Sequence, residues 1–152
     1  MPNTLQMYNK LCRYPGGKWL FGKFVCRMAP YFGTIKPRFV ELKPGYCEAT
    51  LHKRRCVENH LHTVHAIAMA NLCELTAGLM TEVSIPKQMR WIPISMEIFY
   101  LRKAKTDVKG VAKLELPTWQ DSQDIKVPVS VTDKDNNEVV KAVISMRVSK
   151  RD

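Results

Sequence analysis

One long apolar segment near the middle of the chain limits what this sequence can fold into. Residues 66–83 are almost all apolar, and about twenty residues at about 1.5 Å each predict a helix about 30 Å long. Thr63 is positioned to cap its start, and Pro86 prevents its continuation. Apolar residues fall on nearly every side of this helix, so the sequence predicts that it is buried inside the protein. Polar side chains interrupt it at Asn71, Glu74, Thr76, Thr81 and Glu82.

The same segment raises the question of a membrane span. Asn71 and Glu74 near its middle argue against one, because polar and charged groups are costly in a bilayer. No charged and apolar leader opens the chain, and its five cysteines are odd in number and form no Cys-x-x-Cys pair. We therefore expect a cytoplasmic protein that does not associate with a membrane.

The segments on either side of the helix have the pattern of strands. Apolar and polar residues alternate in them, most strictly from Ile92 to Tyr100, and turn residues separate them. Thr106-Asp107 predicts a hairpin between two of these strands, and the short turns predict an antiparallel meander. A long central helix wrapped by an antiparallel sheet of about five to six strands is the hotdog fold, of the α+β class. The predicted strands cover residues 35–42, 46–53, 91–103, 108–116, 125–132 and 139–148.

The first 34 residues have a different pattern. Apolar positions at helical spacing predict helices over residues 3–12, capped by Asn3, and 18–28, with Pro15-Gly16-Gly17 between them. We expect this N-terminal helical arm to cover one end of the sheet. The length predicts a single domain over residues 1–152, with the arm at 1–34 and the hotdog core at 35–149.

A motif surrounds the start of the central helix. It reads Asn59-x-x-x-Thr63-x-His65-Ala66, followed by an acid at Glu74. This pattern resembles the hotdog thioesterases of the phenylacetate-type acyl-CoA group. Their signature is an Asn, then Gly-Thr/Cys-x-His-Gly-Gly, then an Asp or Glu two turns into the helix. The spacing matches without a gap, and the resemblance in element order covers about residues 36–149. The chain departs from the signature at His62 and at Ala66-Ile67, which replace glycines, so it resembles an uncharacterised branch.

The resemblance implies a thioesterase mechanism. In that group the residue matching Glu74 is a general base or nucleophile, and the residue matching Asn59 orients the reactants from the other subunit. The His65-Ala66 step opens the helix, and the Ala66 amide matches the glycine that polarises the thioester carbonyl. A free amide at a helix N-terminus stabilises an oxyanion. The resemblance thus implies a homodimer or homotetramer that hydrolyses acyl-CoA or acyl-carrier-protein thioesters. Coenzyme A is part of the substrate, and no cofactor is implied.

The net charge of +10 favours an anionic partner. No nucleic-acid-binding motif accompanies it, so we expect no nucleic-acid partner. Basic residues cluster around the predicted hairpin, where they fit the phosphates of coenzyme A. A solvated basic surface explains the same residues. The candidates for phosphate binding are Arg102, Lys103, Lys105 and Lys109.

Each candidate has a simpler explanation. In the simpler explanation, Glu74 and Asn71 form a polar contact at a subunit interface, and the Asn59 side chain hydrogen-bonds the backbone of neighbouring residues. A hotdog protein that binds an acyl or CoA ligand without hydrolysing it, or that serves as an assembly module, is therefore the alternative function. The run His60-x-His62-x-x-His65 is similar to the metallo-β-lactamase segment, but Val64 stands where that family has Asp, so we expect no metal site.

Overall fold

The computed structural model describes residues 3–151. The ends of the expected domain, residues 1, 2 and 152, lie outside that range. Three α-helices and six strands follow one another within residues 3–151. The helices are α1 (Thr4–Leu11), α2 (Gly17–Met28) and α3 (Ala66–Ser84). The strands are β1 (Arg38–Lys43), β2 (Tyr46–Leu51), β3 (Met89–Tyr100), β4 (Val108–Lys113), β5 (Ser122–Thr132) and β6 (Glu138–Lys150).

The strands form one antiparallel sheet in the order β1-β2-β4-β5-β6-β3, and α3 contacts every strand of it. This confirms the predicted α+β hotdog arrangement of a central helix and an antiparallel sheet. The helix and the sheet approach each other closely at Gly110. A β-carbon built on Gly110 would be 2.9 Å from Leu72 Cγ, so only a glycine fits beneath that side chain without a shift.

The predicted hairpin between residues 91–103 and 108–116 is wrong. Strand β4 pairs with β2 and β5, whereas β3 lies at the far edge of the sheet, beside β6. Three strand spacings of about 4.8 Å separate β3 from β4, and the seven residues 101–107 can span about 23 Å. Hydrogen bonds from Leu101 N to Val139 O and from Val64 N to Ala104 O, at 2.9 and 2.8 Å, hold this crossing segment in place.

The prediction that α3 is buried on nearly every side is confirmed for most of the helix. The sheet covers one side and the N-terminal arm another, and eleven of its nineteen residues are buried. Ile67, in the first turn, is 56% exposed, and Glu74 is half-buried. No helix within residues 3–151 combines the length and apolarity that crossing a membrane requires.

The N-terminal arm packs on the end of the sheet, as predicted. The rings of Tyr8, Phe21 and Phe39 form an edge-to-face series with centroids 5.0 and 5.1 Å apart, and this series joins α1, α2 and β1. A 3₁₀ turn at Pro30–Thr34 then leads into β1, which begins three residues later than predicted. The arm therefore covers a second side of α3, in addition to the side that the sheet covers.

Candidate functional site

His65, not Thr63 as predicted, caps the start of α3. Its backbone is extended, and its Nδ1 accepts a hydrogen bond from the Ile67 amide at 3.1 Å. An extended residue at this point turns the chain into the helix and leaves the first helical amide pointing outward. Within residues 3–151 no acceptor is found for the Ala66 N–H.

The turn before the helix is organised by Asn59. Its Oδ1 accepts hydrogen bonds from the amides of Leu61 and Thr63 at 3.0 and 3.1 Å. Its Nδ2 donates to the Thr63 hydroxyl at 2.9 Å. Thr63 therefore bonds within the turn, two residues before the capping position at His65. His62 lies at the apex of this turn with φ 57°, in the left-handed region that favours glycine. In this chain the Asn59 carboxamide bonds to its own turn, as the simpler explanation held.

Charged side chains around Glu58 also hold this turn in place. Lys53 Nζ donates to Glu58 Oε1 at 2.7 Å, and His62 Nδ1 lies 3.7 Å from Glu58 Oε2. The hydrogen bond from Lys53 is the main reason that the pKa of Glu58 lies below its ordinary value. Glu58 also pairs with Val64 through an isolated antiparallel bridge, so the two ends of the turn are tied together.

Glu74 lies near the middle of α3, four residues before Gly78. A β-carbon on Gly78 would be 2.8 Å from the Trp91 ring of β3, so Glu74 and Gly78 lie on the side of the helix that faces the edge strand. The Glu74 carboxylate is half-buried between fully buried neighbours. Among the described residues no hydrogen bond or ion pair reaches it. Such a carboxylate is available to a substrate or to another chain.

Asn71 does not join Glu74 in a polar contact within this chain. It is 6% exposed, and its Nδ2 donates to Thr34 Oγ1 at 3.1 Å and to Tyr31 O at 3.4 Å. Its Oδ1 is buried without a partner in the described chain, and the residue lines a small cavity of about 160 Å³ that His65 also borders. The role of Asn71 here is to fasten α3 to the N-terminal arm.

Strand β3 is an uncovered edge with apolar residues on both of its faces. Ile92, Ile94 and Phe99 are 60, 47 and 54% exposed. On the helix side Met96 pairs with Ile144 and is 36% exposed, while the Tyr100 hydroxyl donates to Ala66 O at 3.2 Å. The alternation from Ile92 to Tyr100 predicted this strand, but alternation alone does not show that a strand lies at an open edge of the sheet.

Three of the four candidates for phosphate binding lie together, and the fourth lies elsewhere. Arg102, Lys103 and Lys105 lie on the crossing segment, whose Ala104 bonds to Val64 beside the start of α3. Lys109 is not with them. Gly110 faces α3, so Lys109 points to the other face of the sheet, where it lies 3.8 Å from Glu48. Lys109 lies beside Glu48 of β2 because β4 pairs with β2 and not with β3.

The two central groups of the expected mechanism are far apart within one chain. Ala66 and Glu74 are separated by eight residues of one helix, which is a rise of about 12 Å. A single reacting carbonyl cannot contact both the Ala66 amide and the Glu74 carboxylate at about 3 Å each. The expected mechanism therefore requires that these two groups come from different copies of the chain.

The histidine run does not converge on one point. His65 Nδ1 is engaged by the Ile67 amide, and His62 lies toward Glu58. Across the described part of the chain, no three histidine, cysteine or acidic side chains are arranged to hold a metal ion.

Comparison with known families gives a match over most of the chain. Residues 17–148 match the model of the family described as Domain of unknown function (DUF4442). This range includes α2, α3 and the whole sheet except the last two residues of β6. No curated protein matches the chain.

Solved structures give matches over most of the chain. The crystal structure described as genomics APC5556 is 45% identical, with a TM-score of 0.84 and coverage of 97% of each chain. A Pseudomonas aeruginosa protein of unknown function, described as a probable thioesterase, is 19% identical, with a TM-score of 0.72 and coverage of 80% of this chain and 88% of its own. A thioesterase from Haemophilus influenzae is 12% identical, with a TM-score of 0.69 and coverage of 79% and 82%. At these low identities the last two establish the shared hotdog fold.

Proposed function

We propose, from the premise that this chain belongs to the DUF4442 family and has the hotdog fold, that it hydrolyses an acyl thioester of coenzyme A or of an acyl-carrier protein. The observation that carries this proposal is the Glu74 carboxylate. It is half-buried, has no partner among the described residues, and lies on the side of α3 toward an uncovered edge strand. Neighbours of the same fold that are described as thioesterases support it.

In the proposed reaction, Glu74 takes a proton from water as the water oxygen attacks the thioester carbonyl carbon. The carbonyl oxygen becomes an oxyanion, which accepts a hydrogen bond from the Ala66 N–H at the positive end of the helix dipole. The tetrahedral intermediate then expels the thiolate, which receives the proton. The products are a carboxylic acid and a free thiol. A general base and an oxyanion donor each contribute about 10²-fold or more to a rate.

The reaction requires two copies of the chain. The rise of about 12 Å between Ala66 and Glu74 prevents them from sharing one substrate within a helix. We propose that β3 pairs with β3 of a second copy in antiparallel orientation, which covers the exposed edge. This arrangement brings the start of one α3 toward the middle of the other. Each dimer then has two sites, each with Ala66 from one chain and Glu74 from the other.

Asn59 and His65 act as positioning residues in this proposal. Asn59 bonds across its turn to Thr63, and His65 binds the neighbouring Ile67 amide. Together they fix the direction of the Ala66 N–H while leaving it without an acceptor. This function differs from orienting the reactants directly, and the carboxamide bonds of Asn59 favour it.

The basic crossing segment supports a substrate with phosphate groups. Arg102, Lys103 and Lys105 are all exposed beside the start of α3. We assign them to the phosphates of coenzyme A or of a carrier's prosthetic group. Lys109, on the other face of the sheet and beside Glu48, has no part in this assignment.

The experiment is a hydrolysis assay with a panel of medium- and long-chain acyl-CoA substrates. We expect Glu74→Gln to lower kcat by at least about 100-fold while leaving the oligomer intact, because the amide keeps the shape of the side chain and cannot take up a proton. Glu115→Gln, at an exposed acid after β4, is the matched control. Turnover like that of the wild type in Glu74→Gln rejects the assignment.

A second candidate function is binding without hydrolysis. The observation that favours it is the side chain of Ile67, which stands in place of the second glycine of the signature's Gly-Gly pair and is 56% exposed beside the helix start. The same panel separates the two functions. Saturable acyl-CoA binding by the wild type, with no release of thiol, assigns the chain to the second.

A further inference from the structure

A cavity of about 720 Å³ lies between the N-terminal arm and the second half of α3. Phe24, Met28 and Phe32 form its wall on the side of the arm. Leu79 and Val83 of α3, with Trp91 of β3, form the opposite wall. Protein interiors rarely leave a void much larger than a water molecule, whereas sites for small organic ligands measure about 300–1,000 Å³. Both the volume and the walls fit a hydrocarbon chain.

Charged groups at this cavity favour an anionic head group. Lys87 and Arg151 line it where β3 begins. The position of Arg151 is fixed by hydrogen bonds from its Nε to Met89 O and from its backbone N to Gln88 O, each 2.9 Å. Within residues 3–151 no acid forms an ion pair with Lys87. Two cations at the rim of an apolar cavity complement a carboxylate with an apolar tail.

One acid, Glu82, also lines the cavity, but both of its carboxylate oxygens already accept hydrogen bonds from the protein. Glu82 Oε2 accepts a hydrogen bond from Trp91 Nε1 at 2.8 Å, and Glu82 Oε1 accepts one from Thr4 Oγ1 at 3.4 Å. These bonds hold the carboxylate against the wall and fix the indole ring as a flat surface. The rim therefore retains a net positive charge.

The cavity is separate from the Glu74 site. Glu74 does not line it, and Glu82, which does, lies eight residues further along α3, a rise of about 12 Å. The walls on the side of the arm come from residues that the hotdog core itself lacks. A ligand in this cavity would contact none of the groups assigned above to hydrolysis.

We propose that this cavity binds a free long-chain fatty acid, with its hydrocarbon tail between the arm and α3 and its carboxylate at Lys87 and Arg151. Each buried methylene contributes to binding, so affinity rises about fourfold per added methylene until the cavity is full. The proposal does not depend on thioester hydrolysis, because a protein without that activity has the same cavity.

The test measures binding of octanoate, decanoate, dodecanoate and dodecanol to the full chain by calorimetry, below the concentrations at which they form micelles. We expect affinity to rise with chain length among the acids and to exceed that of the alcohol. The double variant Lys87→Ala/Arg151→Ala should lose at least tenfold in affinity for dodecanoate and little for dodecanol. If the double variant loses equal affinity for both ligands, the carboxylate assignment is wrong.

Two further variants test the location. Met28→Trp adds bulk at a residue that is 57% exposed, so it should block the cavity without unfolding the protein, and Val83→Phe fills the cavity from the opposite wall. We expect both to weaken dodecanoate binding at least tenfold, whereas Glu74→Gln should leave it unchanged. The proposal is overturned if the wild type binds no fatty acid, if both blocking variants bind normally, or if Glu74→Gln abolishes binding.

Discussion

Gly78 of α3 lies directly against the indole ring of Trp91 on the edge strand. A β-carbon at Gly78 would be 2.8 Å from Trp91 Cη2, closer than such atoms approach in proteins. The indole N–H donates to Glu82, one turn further along the same helix. This contact sets the distance between α3 and β3, and therefore the width of the surface on which Glu74 lies.

We predict that Gly78→Ala destabilises the protein. Alanine favours a helix over glycine by about 1 kcal/mol, but overpacking against a fixed ring costs about 1–3 kcal/mol. The expected net loss is about 1 kcal/mol in the free energy of unfolding, measured by chemical denaturation. In a Trp91→Leu background the ring is absent, and Gly78→Ala should become stabilising. The same effect in both backgrounds would mean that the ring does not restrict this position.

The role of the Ala66 amide can be tested by removing its hydrogen. Proline is well tolerated at the first position of a helix, and His65 already has the extended backbone that proline requires of its predecessor. Ala66→Pro should therefore fold normally and lower kcat by about 100-fold or more. Ala66→Gly keeps the N–H and should retain activity. Equal activity in the two variants would rule out this amide as the oxyanion donor.

The two-chain site makes a prediction about mixtures. Ala66→Pro and Glu74→Gln each lack one half of the site, and each is expected to be nearly inactive alone. In a mixed dimer one of the two sites regains both groups, so random reassociation should restore about one quarter of the wild-type activity. No restoration, with mixed dimers demonstrated by mass spectrometry, would mean that both groups act within one chain.

The uncovered edge predicts how copies of the chain associate. Met96 on β3 and Val40 on β1 are apolar residues of the two opposite edge strands, 36 and 39% exposed. A lysine at an edge opposes pairing with another strand. Met96→Lys should shift the protein toward the monomer in sedimentation velocity and abolish hydrolysis, whereas Val40→Lys should change neither. Dissociation caused by Val40→Lys instead would assign the interface to the other edge.

The turn before α3 should be strained at His62. Its φ of 57° costs a residue with a β-carbon about 1 kcal/mol, a cost that glycine avoids. His62→Gly should raise the free energy of unfolding by about 0.5–1 kcal/mol. His60→Gly, at an exposed position of the same turn with an ordinary φ, should not stabilise the protein. A loss of stability in His62→Gly would contradict this account.

Acid should weaken the same turn through Glu58. The pKa of Glu58 is held below its ordinary value of 4.5, chiefly by the hydrogen bond from Lys53. The contribution of Glu58 to the free energy of unfolding is therefore present above pH 4.5 and is lost as the pH falls through the pKa of Glu58 in the folded protein. Glu58→Gln should be less stable than the wild type at pH 7, and the difference should shrink between about pH 5 and pH 3. Thermal unfolding across this range measures it. A difference that does not change with pH would exclude the ion pair as its source.

Part of the candidate site could be predicted without the structure. The apolar run predicts the helix that begins at Ala66, and the resemblance to the thioesterase signature singles out Asn59 and Glu74. The hydrogen bonds of Asn59 could not be settled in the same way. Its carboxamide can bond its own turn or another chain, and only the position of Thr63 at 2.9 Å decides for the turn.

The sequence by itself determined the elements of this protein: a long apolar helix that ends before Pro86, alternating strands around it, and an N-terminal helical arm. These follow from periodicity, capping and breaking residues, which act between neighbours in the chain. The tertiary structure decided that β3 crosses to the far edge beside β6, that Lys109 faces away from the helix, and that a cavity lies beneath the arm. Strand order and exposure depend on which distant segments meet. The pattern of apolar residues in a strand is the same whether its edge is paired or open.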